Sequence, residues 1–279
     1  MPALPPHYAI AQHVSSALLE DIGTCDWTAN LIDSNNIAKA SVFVREPAIL
    51  CGQAWFDECF RQVNPAVSLC WNQPEGTHIQ ADTLVCELMG PAPALLMAER
   101  SALNFLQLLS AVATETHRYV EAVRGTRARI VDTRKTFPGL RIAQKYAVTI
   151  GGGHNQRIGL FDGILIKENH ILAAGSINEA VERARCTAPS SLSLQVEVET
   201  LDELDEALAT GVNLILLDNM PLTIIYEAVK RTAGRACLEA SGGVNLTTVR
   251  QLAESGVDRI SVGKLTKDVC AIDFSMRFL

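Results

Sequence analysis

The sequence predicts an α/β chain: an amino-terminal α+β domain followed by a parallel β/α barrel of fewer than eight strands. Three observations carry this. Before about residue 115 the apolar residues alternate in short segments divided by turn formers, the texture of an antiparallel sheet covered on one face. Beyond it, short unbroken apolar runs alternate with helical patterns, as in a parallel sheet wrapped by helices. Nearly every one of those later runs also ends in charged residues or glycine, where a barrel carries its chemistry.

In chain order, the first half shows strand-like segments at 38–45, 48–51, 66–71 and 83–89. Gln73-Pro74-Glu75-Gly76 marks one turn, and residues 53–63 form an amphipathic helical pattern. Residues 94–113 are the most apolar stretch and are long enough to span a bilayer, but Glu99 and Arg100 stand near the middle. Each would cost about 3 kcal/mol there, so a buried helix running to about residue 124 is expected. The second half has apolar runs at 128–131, 163–166, 194–198, 213–217, 236–238 and 259–262, with helical patterns such as 201–209 and 247–254. The resulting division is 1–115 and 116–269.

Composition limits the function classes. Among 279 residues, 31 acidic against 24 basic side chains give a net charge of −7, which speaks against a nucleic-acid or anionic-membrane binder. Residues 1–13 contain no Lys or Arg and no long apolar run, so no secretory signal is expected. The 8 cysteines are scattered without a CxxC or a metal spacing, the pattern of reduced thiols in a cytoplasmic protein.

The strand ends carry the chemistry. They read Asp132-Thr133-Arg134-Lys135, Lys167-Glu168-Asn169-His170, Glu197 with Glu199, Asp218-Asn219, Glu239 leading to Ser241-Gly242-Gly243, and Ser261-Val262-Gly263-Lys264. Glycine loops after the last two strands fit a phosphate, because backbone N–H groups can approach it closely. Arg134, Lys135, Arg141, Lys145, Arg157 and Lys167 fall within 34 residues of an otherwise acidic chain. Arg141 and Lys145, four apart, read as a solvated helix-face pair; the others suit a pocket that neutralises a multiply charged anion. Glu197 and Asp218, one strand apart, could hold Mg²⁺ together with substrate phosphates, act as acid and base, or pair with Lys135 or Lys167. His154 and His170 have no nucleophile beside them and read as hydrogen-bonding groups.

At these residues the chain resembles the quinolinate phosphoribosyltransferases, also called carboxylating nicotinate-nucleotide pyrophosphorylases. The resemblance rests on DTRKTFPGL (132–140), KYAVTIGGG (145–153), LIKENHI (165–171), VEVE (196–199), LLDNM (216–220), LEASGG (238–243) and, earlier, AERSALNFLQ (98–107). It implies phosphoribosyl transfer from phosphoribosyl pyrophosphate to quinolinate with decarboxylation, giving nicotinate mononucleotide, pyrophosphate and CO₂ on the route to NAD. It also implies an amino-terminal α/β sandwich with 270–279 packing back on it, and a homodimer. Carried over position by position, Arg134, Arg157 and Lys167 would bind the quinolinate carboxylates, with Arg100 completing the neighbouring subunit's site. Lys135 would lie near the reacting centre and the pyrophosphate. Glu197 and Asp218 would hold Mg²⁺ and phosphoribosyl pyrophosphate, making these two and Lys135 the catalytic set. Ser241, Gly242, Gly243, Val262, Gly263, Lys264 and Lys267 would grip phosphates, and Thr133, His154 and Gln156 complete the candidate substrate-binding residues.

One position departs from the family pattern. Where asparagine, histidine, arginine is usual, this chain reads Asn155-Gln156-Arg157. Glutamine can donate a hydrogen bond to an anion but carries no charge, so the expectation is weaker anion binding or compensation by His154. Two other readings compete: a pyridine phosphoribosyltransferase that does not decarboxylate, and a catalytically silent ligand-binding paralogue. Four cations around one ring favour the dicarboxylate over the first. The presence of Lys135, Glu197 and Asp218 argues against the second.

Overall fold

The computed structural model describes residues 2–33 and 36–279; Met1, Ser34 and Asn35, which fall in the expected amino-terminal domain, lie outside the described residues. The chain begins with α1 (His7–Ile22), β1 (Ile37–Val44), β2 (Ala48–Ile49), α2 (Gln53–Val63), β3 (Ser68–Trp71), β4 (His78–Ile79), β5 (Leu84–Pro91) and α3 (Ala92–Ala122). The alternation read from the sequence is realised as an antiparallel sheet, with β5 between β1 and β3. Val42, Val44, Val85 and Leu88 turn inward and are buried. The apolar stretch at 94–113 is the buried part of α3, with Leu95, Leu103, Leu106 and Leu109 inaccessible. Among the described residues, no helix is long and apolar enough to cross a membrane.

Six parallel strands follow: β6 (Arg129–Val131), β7 (Gly163–Ile166), β8 (Ser193–Val198), β9 (Leu214–Asp218), β10 (Cys237–Ser241) and β11 (Arg259–Ser261). The interleaved helices are α4 (Arg141–Ile150), α5 (Glu168–Ala174), α6 (Ile177–Thr187), α7 (Leu201–Ala209), α8 (Leu222–Thr232), α9 (Val249–Glu254) and the short α10 (Lys264–Lys267). The sheet runs β6-β11-β10-β9-β8-β7. Among the described residues no ladder joins β6 to β7; beside β6, His154 makes an isolated parallel bridge to Val131. The helix starts follow local rules: Thr200 and Glu203 form a reciprocal capping box on α7, and Ser176 caps α6.

The final strand, β12 (Phe274–Phe278), pairs antiparallel with β1, so the first sheet reads β12-β1-β5-β3. Two compact units result, and they interleave in sequence. One comprises 1–117, 136–152 and 266–279; the other comprises 118–135 and 153–265. Segment 136–152 therefore belongs with the amino-terminal unit, where a single cut near residue 115 would have put it in the barrel. Glycine makes this possible at Gly151: a Cβ there would collide with the Ala113 carbonyl oxygen and lie 2.7 Å from Thr116 Cβ on α3.

Segment 136–152 also corrects a reading of charge. Lys145 is not a solvated partner of Arg141; it is 1% exposed. Six consecutive residues of α4, Ala143–Val148, are buried, so the helix has no wide solvent face on which an i,i+4 pair could lie. Arg141 is half-buried and donates to Thr136 Oγ1 at 3.0 Å.

Two adjacent acids on α2 are driven in opposite directions. Arg61 donates to both oxygens of Glu58 at 2.5 and 2.6 Å, and with support from Gln62 and His7 it holds the Glu58 carboxyl at about 2. Burial pushes Asp57 up to about 6, opposed by the Trp71 indole N–H at 2.8 Å and reinforced by Glu75. Glu58 therefore contributes stability above its ordinary range that is lost as pH falls toward 2. The contribution from Asp57 is present below its ordinary range and lost as pH rises through 6. Asp57→Asn keeps an oxygen for Trp71 and is expected to stabilise the protein at pH 7 by about 2 kcal/mol, with no gain at pH 3.5. Urea midpoints at the two pH values check this, and an equal gain at both would contradict it.

Candidate active site

The carboxyl ends of the six strands bring together most of the residues that sequence alone picked out. Lys167 directly follows β7 and is the N-cap residue of α5. Its backbone N–H donates to His170 Nδ1 at 3.1 Å, so His170 has a hydrogen-bonding role. The Lys167 ammonium contacts both carboxylate oxygens of Glu197, at 3.0 and 2.8 Å. Glu197 is nearly buried, whereas the lysine is 42% exposed. Of the roles open to Glu197 on spacing alone, ion pairing with Lys167 is the one this structure adopts.

Register places the remaining groups. Glu197 on β8 pairs with Leu216 on β9, and Leu216 pairs with Glu239 on β10. Asp218 lies two residues beyond Leu216, at the very end of β9, half-buried and with Asn219 Nδ2 donating to Oδ2 at 2.8 Å. Asp218 is in register with Ser241, and Asn219 N donates to the Ser241 carbonyl at 3.0 Å. That close approach explains Gly242. Its φ is +99°, and a Cβ there would strike the Asn219 amide oxygen and lie 2.9 Å from Asn219 Cα. Gly243, with φ +60°, is exposed beside it. After β11, Val262 is buried and its N–H donates to Val131 O at 3.0 Å, which leads the chain into Gly263 and the exposed Lys264.

Just after β6 the buried Asp132 is the anchor. Its Oδ1 accepts from the Gln156 backbone N–H at 2.9 Å, and its own N–H donates to the His154 carbonyl at 3.1 Å. Thr133 Oγ1 accepts from Lys135 N at 3.1 Å, shaping the turn that carries half-buried Arg134 and exposed Lys135. The Arg157 guanidinium is held below its ordinary value, first by burial and then by the positive charge of Arg134, with Asp162 and Glu197 opposing. Two guanidinium groups thus press on each other, and Lys167 shares Glu197 with Arg157, an arrangement that gains by receiving a multiply charged anion.

Burial, then Arg129 and Arg259, lower the His154 imidazole's affinity for protons. These arginines open β6 and β11, whereas the His154 backbone bridges Val131, the last residue of β6. Arg100 is exposed on α3 and Lys267 pairs with Asp268 at 3.0 Å; both belong to the amino-terminal unit. Sequence reading also gave no role to Gln195 or Arg259. Gln195 bonds to Glu239 and Gln156 inside the sheet, and Arg259 lies 3.2 Å from Glu239. A glutamine inside a strand otherwise buried on both sides was the available signal.

A parallel β/α sheet with glycine turns, clustered cations and two carboxylates at its strand ends defines an enzyme for polyanionic, phosphate-bearing substrates. Comparison with known proteins gives the particular family. Residues 26–110 match the model of the quinolinate phosphoribosyl transferase N-terminal domain and residues 112–277 that of its C-terminal domain, so the chain belongs to this family. It is 40% identical over 270 residues to a probable nicotinate-nucleotide pyrophosphorylase [carboxylating] from Bacillus subtilis, covering 97% of this chain and 93% of that one. A protein of the same description from Synechocystis is 38% identical, covering 100% of this chain and 96% of the relative. The solved nicotinate-nucleotide pyrophosphorylase from Francisella tularensis superposes with a TM-score of 0.94 at 40% identity, covering 99% of this chain and 98% of that one.

The glycine turn yields a test that needs no organic substrate. Gly242→Ala forces a Cβ into Asn219 and must displace the end of β9 that carries Asp218. It is expected to weaken binding of inorganic pyrophosphate by about tenfold, with Gly243→Ala, which meets nothing within 4 Å, costing less. Calorimetric titration of both variants checks the order, and equal affinities would contradict it.

Proposed function

We propose that this chain catalyses phosphoribosyl transfer from phosphoribosyl pyrophosphate to quinolinate with loss of CO₂, giving nicotinate mononucleotide and pyrophosphate for NAD synthesis in the cytoplasm. The observation that carries the reading is that Arg157 feels the charge of both Arg134 and Glu197, the carboxylate that Lys167 contacts, a grouping with more positive charge than a single ring carboxylate would call for. The relatives' descriptions, which include the word carboxylating, support the same reaction.

The chemistry is then mostly placement of charge. The three cations hold the two ring carboxylates and so aim the pyridine nitrogen at the anomeric carbon. The nitrogen–carbon bond forms as the bond from that carbon to pyrophosphate breaks, through an oxocarbenium-like state. Lys135, exposed at the end of β6, stabilises the departing pyrophosphate. The ring nitrogen is now cationic and stabilises the electron pair that stays on the ring carbon when the 2-carboxylate departs as CO₂; that pair then takes a proton. Glu197 and Asp218 offer only oxygen donors, which suits Mg²⁺. Among the described residues no cluster of three or more His, Cys, Asp or Glu could hold a metal alone, so substrate phosphates and water would complete the coordination. Bound there, Mg²⁺ would neutralise negative charge on the pyrophosphate.

Consumption of quinolinate with phosphoribosyl pyrophosphate and Mg²⁺, run beside nicotinate, tests the reaction. Stoichiometric CO₂ from quinolinate is expected. Turnover of nicotinate alone would replace the reading with a non-decarboxylating transferase, and binding without turnover would mean a silent paralogue.

The proposal includes a homodimer in which Arg100, exposed on α3, completes the site of the second copy. Arg100→Ala and Lys135→Ala homodimers are each expected to lose activity by at least about a hundredfold. Mixing and re-equilibrating them should restore up to about a quarter of wild-type activity, through heterodimers with one intact site. No recovery on mixing, with exchange verified, would show that Arg100 serves its own subunit or none.

A further inference from the structure

Three polar side chains form a continuous hydrogen-bonded line inside the parallel sheet. Glu239, wholly buried on β10, forms an ion pair through Oε2 with Arg259 Nε at 3.2 Å and accepts at the same oxygen from Gln195 Nε2 at 3.1 Å. Gln195, 3% exposed on β8, accepts at Oε1 from Gln156 Nε2 at 2.7 Å. The direction of this line is not free. Burial raises the Glu239 carboxyl, and the Arg259 charge and the Gln195 hydrogen bond oppose that; a carboxylate oxygen paired with Arg259 accepts, so it draws the NH₂ end of Gln195 toward itself and turns the Gln195 carbonyl toward Gln156. That fixes which end of the Gln156 amide faces inward.

These bonds matter because the side chains stand beside open space. Gln156, Arg157, Gln195 and Arg259 border a cavity of about 280 Å³, so polar partners hold them on the side where no neighbour packs. The loop that carries Arg157 is tied down on both sides. Before it, Gln156 is held through its backbone N–H by Asp132 and through its side chain by Gln195. After it, Ile158 and Gly159 donate their backbone N–H groups to Asp162, each at 2.8 Å. Arg157 itself donates to the Gly163 carbonyl at 3.0 Å. A restraint is needed, since Arg134 repels this guanidinium.

We propose that Gln156 is a positioning residue: it acts through Gln195 and Glu239 to hold Arg157 toward its carboxylate ligand, and it is not itself an anion ligand. The inference rests on the proposed function, which gives Arg157 a quinolinate carboxylate. Gln195 and Glu239 become positioning residues for the same reason.

A double-mutant cycle on the full-length enzyme tests this. Gln156→Ala and Gln195→Ala should each raise the quinolinate KM about tenfold, with the phosphoribosyl pyrophosphate KM changed less than about twofold, and the double variant no worse than the worse single. Glu239→Gln, whose amide oxygen can still accept from Gln195, should retain wild-type KM values, whereas Glu239→Leu should match Gln195→Ala. A silent Gln195→Ala beside a damaging Gln156→Ala would make Gln156 a direct ligand and overturn the proposal, as would effects that multiply in the double variant. A rise in both substrates' KM values together with a fall in thermal midpoint would mark a merely structural role. Wild-type enzyme that turns over no quinolinate would defeat the functional reading separately. The relay is then read in the free enzyme from the Gln156 side-chain amide resonances by NMR: they move on Gln195→Ala if it exists, and resonances that stay in place overturn it.

Discussion

Positive charge concentrated at the carboxyl ends of a parallel sheet has to be neutralised by something, and the contact between Lys167 and Glu197 shows how this chain does it. A bidentate contact at 2.8 and 3.0 Å with a nearly buried carboxylate satisfies the lysine and prevents Glu197 from being an unpaired buried charge. The same two side chains are the ones the proposed reaction needs apart, one for a ring carboxylate and the other for a metal-bound pyrophosphate. In this structure they serve as each other's substitute ligand. Under the proposed function, substrate binding exchanges these ion-pair partners, so that a dianion and a cation together gain what neither could alone.

That requirement organises the surrounding fold. Parallel strands put Lys167, Glu197, Asp218 and Ser241 at one end because every strand in the sheet points the same way. The glycine at 242 lets the ends of β9 and β10 approach closely enough for Asn219 to bond to Ser241. Below them, Glu239, Gln195 and Gln156 convert one buried carboxylate into a fixed orientation for the loop bearing Arg157. Gln156 and Gln195 each find a side-chain partner inside the sheet, whereas Glu239 directs only Oε2 to Gln195 and leaves Oε1 without a hydrogen bond.

Much of this was legible in the sequence, for identifiable reasons. The strands at 163–166 and 194–198 and the helices at 53–63 and 201–209 follow from local periodicity, which survives folding because each element buries a regular face. Strand-end residues were legible because parallel topology converts position along a strand into position at the site. What local patterns could not show were contacts set by the whole fold. Lys145 read as solvated because four-residue spacing says nothing about how many faces of α4 are covered. The Gln156–Gln195–Glu239 line joins residues 39 and 44 positions apart, beyond any local pattern. The return of 136–152 to the amino-terminal unit depends on Gly151 meeting α3, which a glycine run alone does not disclose.

The exchange of ion-pair partners is the central claim, and equilibrium binding of quinolinate to Glu197→Gln, without phosphoribosyl pyrophosphate or metal, tests it most directly. A neutral amide competes poorly for the Lys167 ammonium, so the account predicts that quinolinate binds about tenfold more tightly than to the wild type, even though the variant loses turnover. Unchanged or weaker binding would show that Lys167 is not released to the substrate, and would contradict the account.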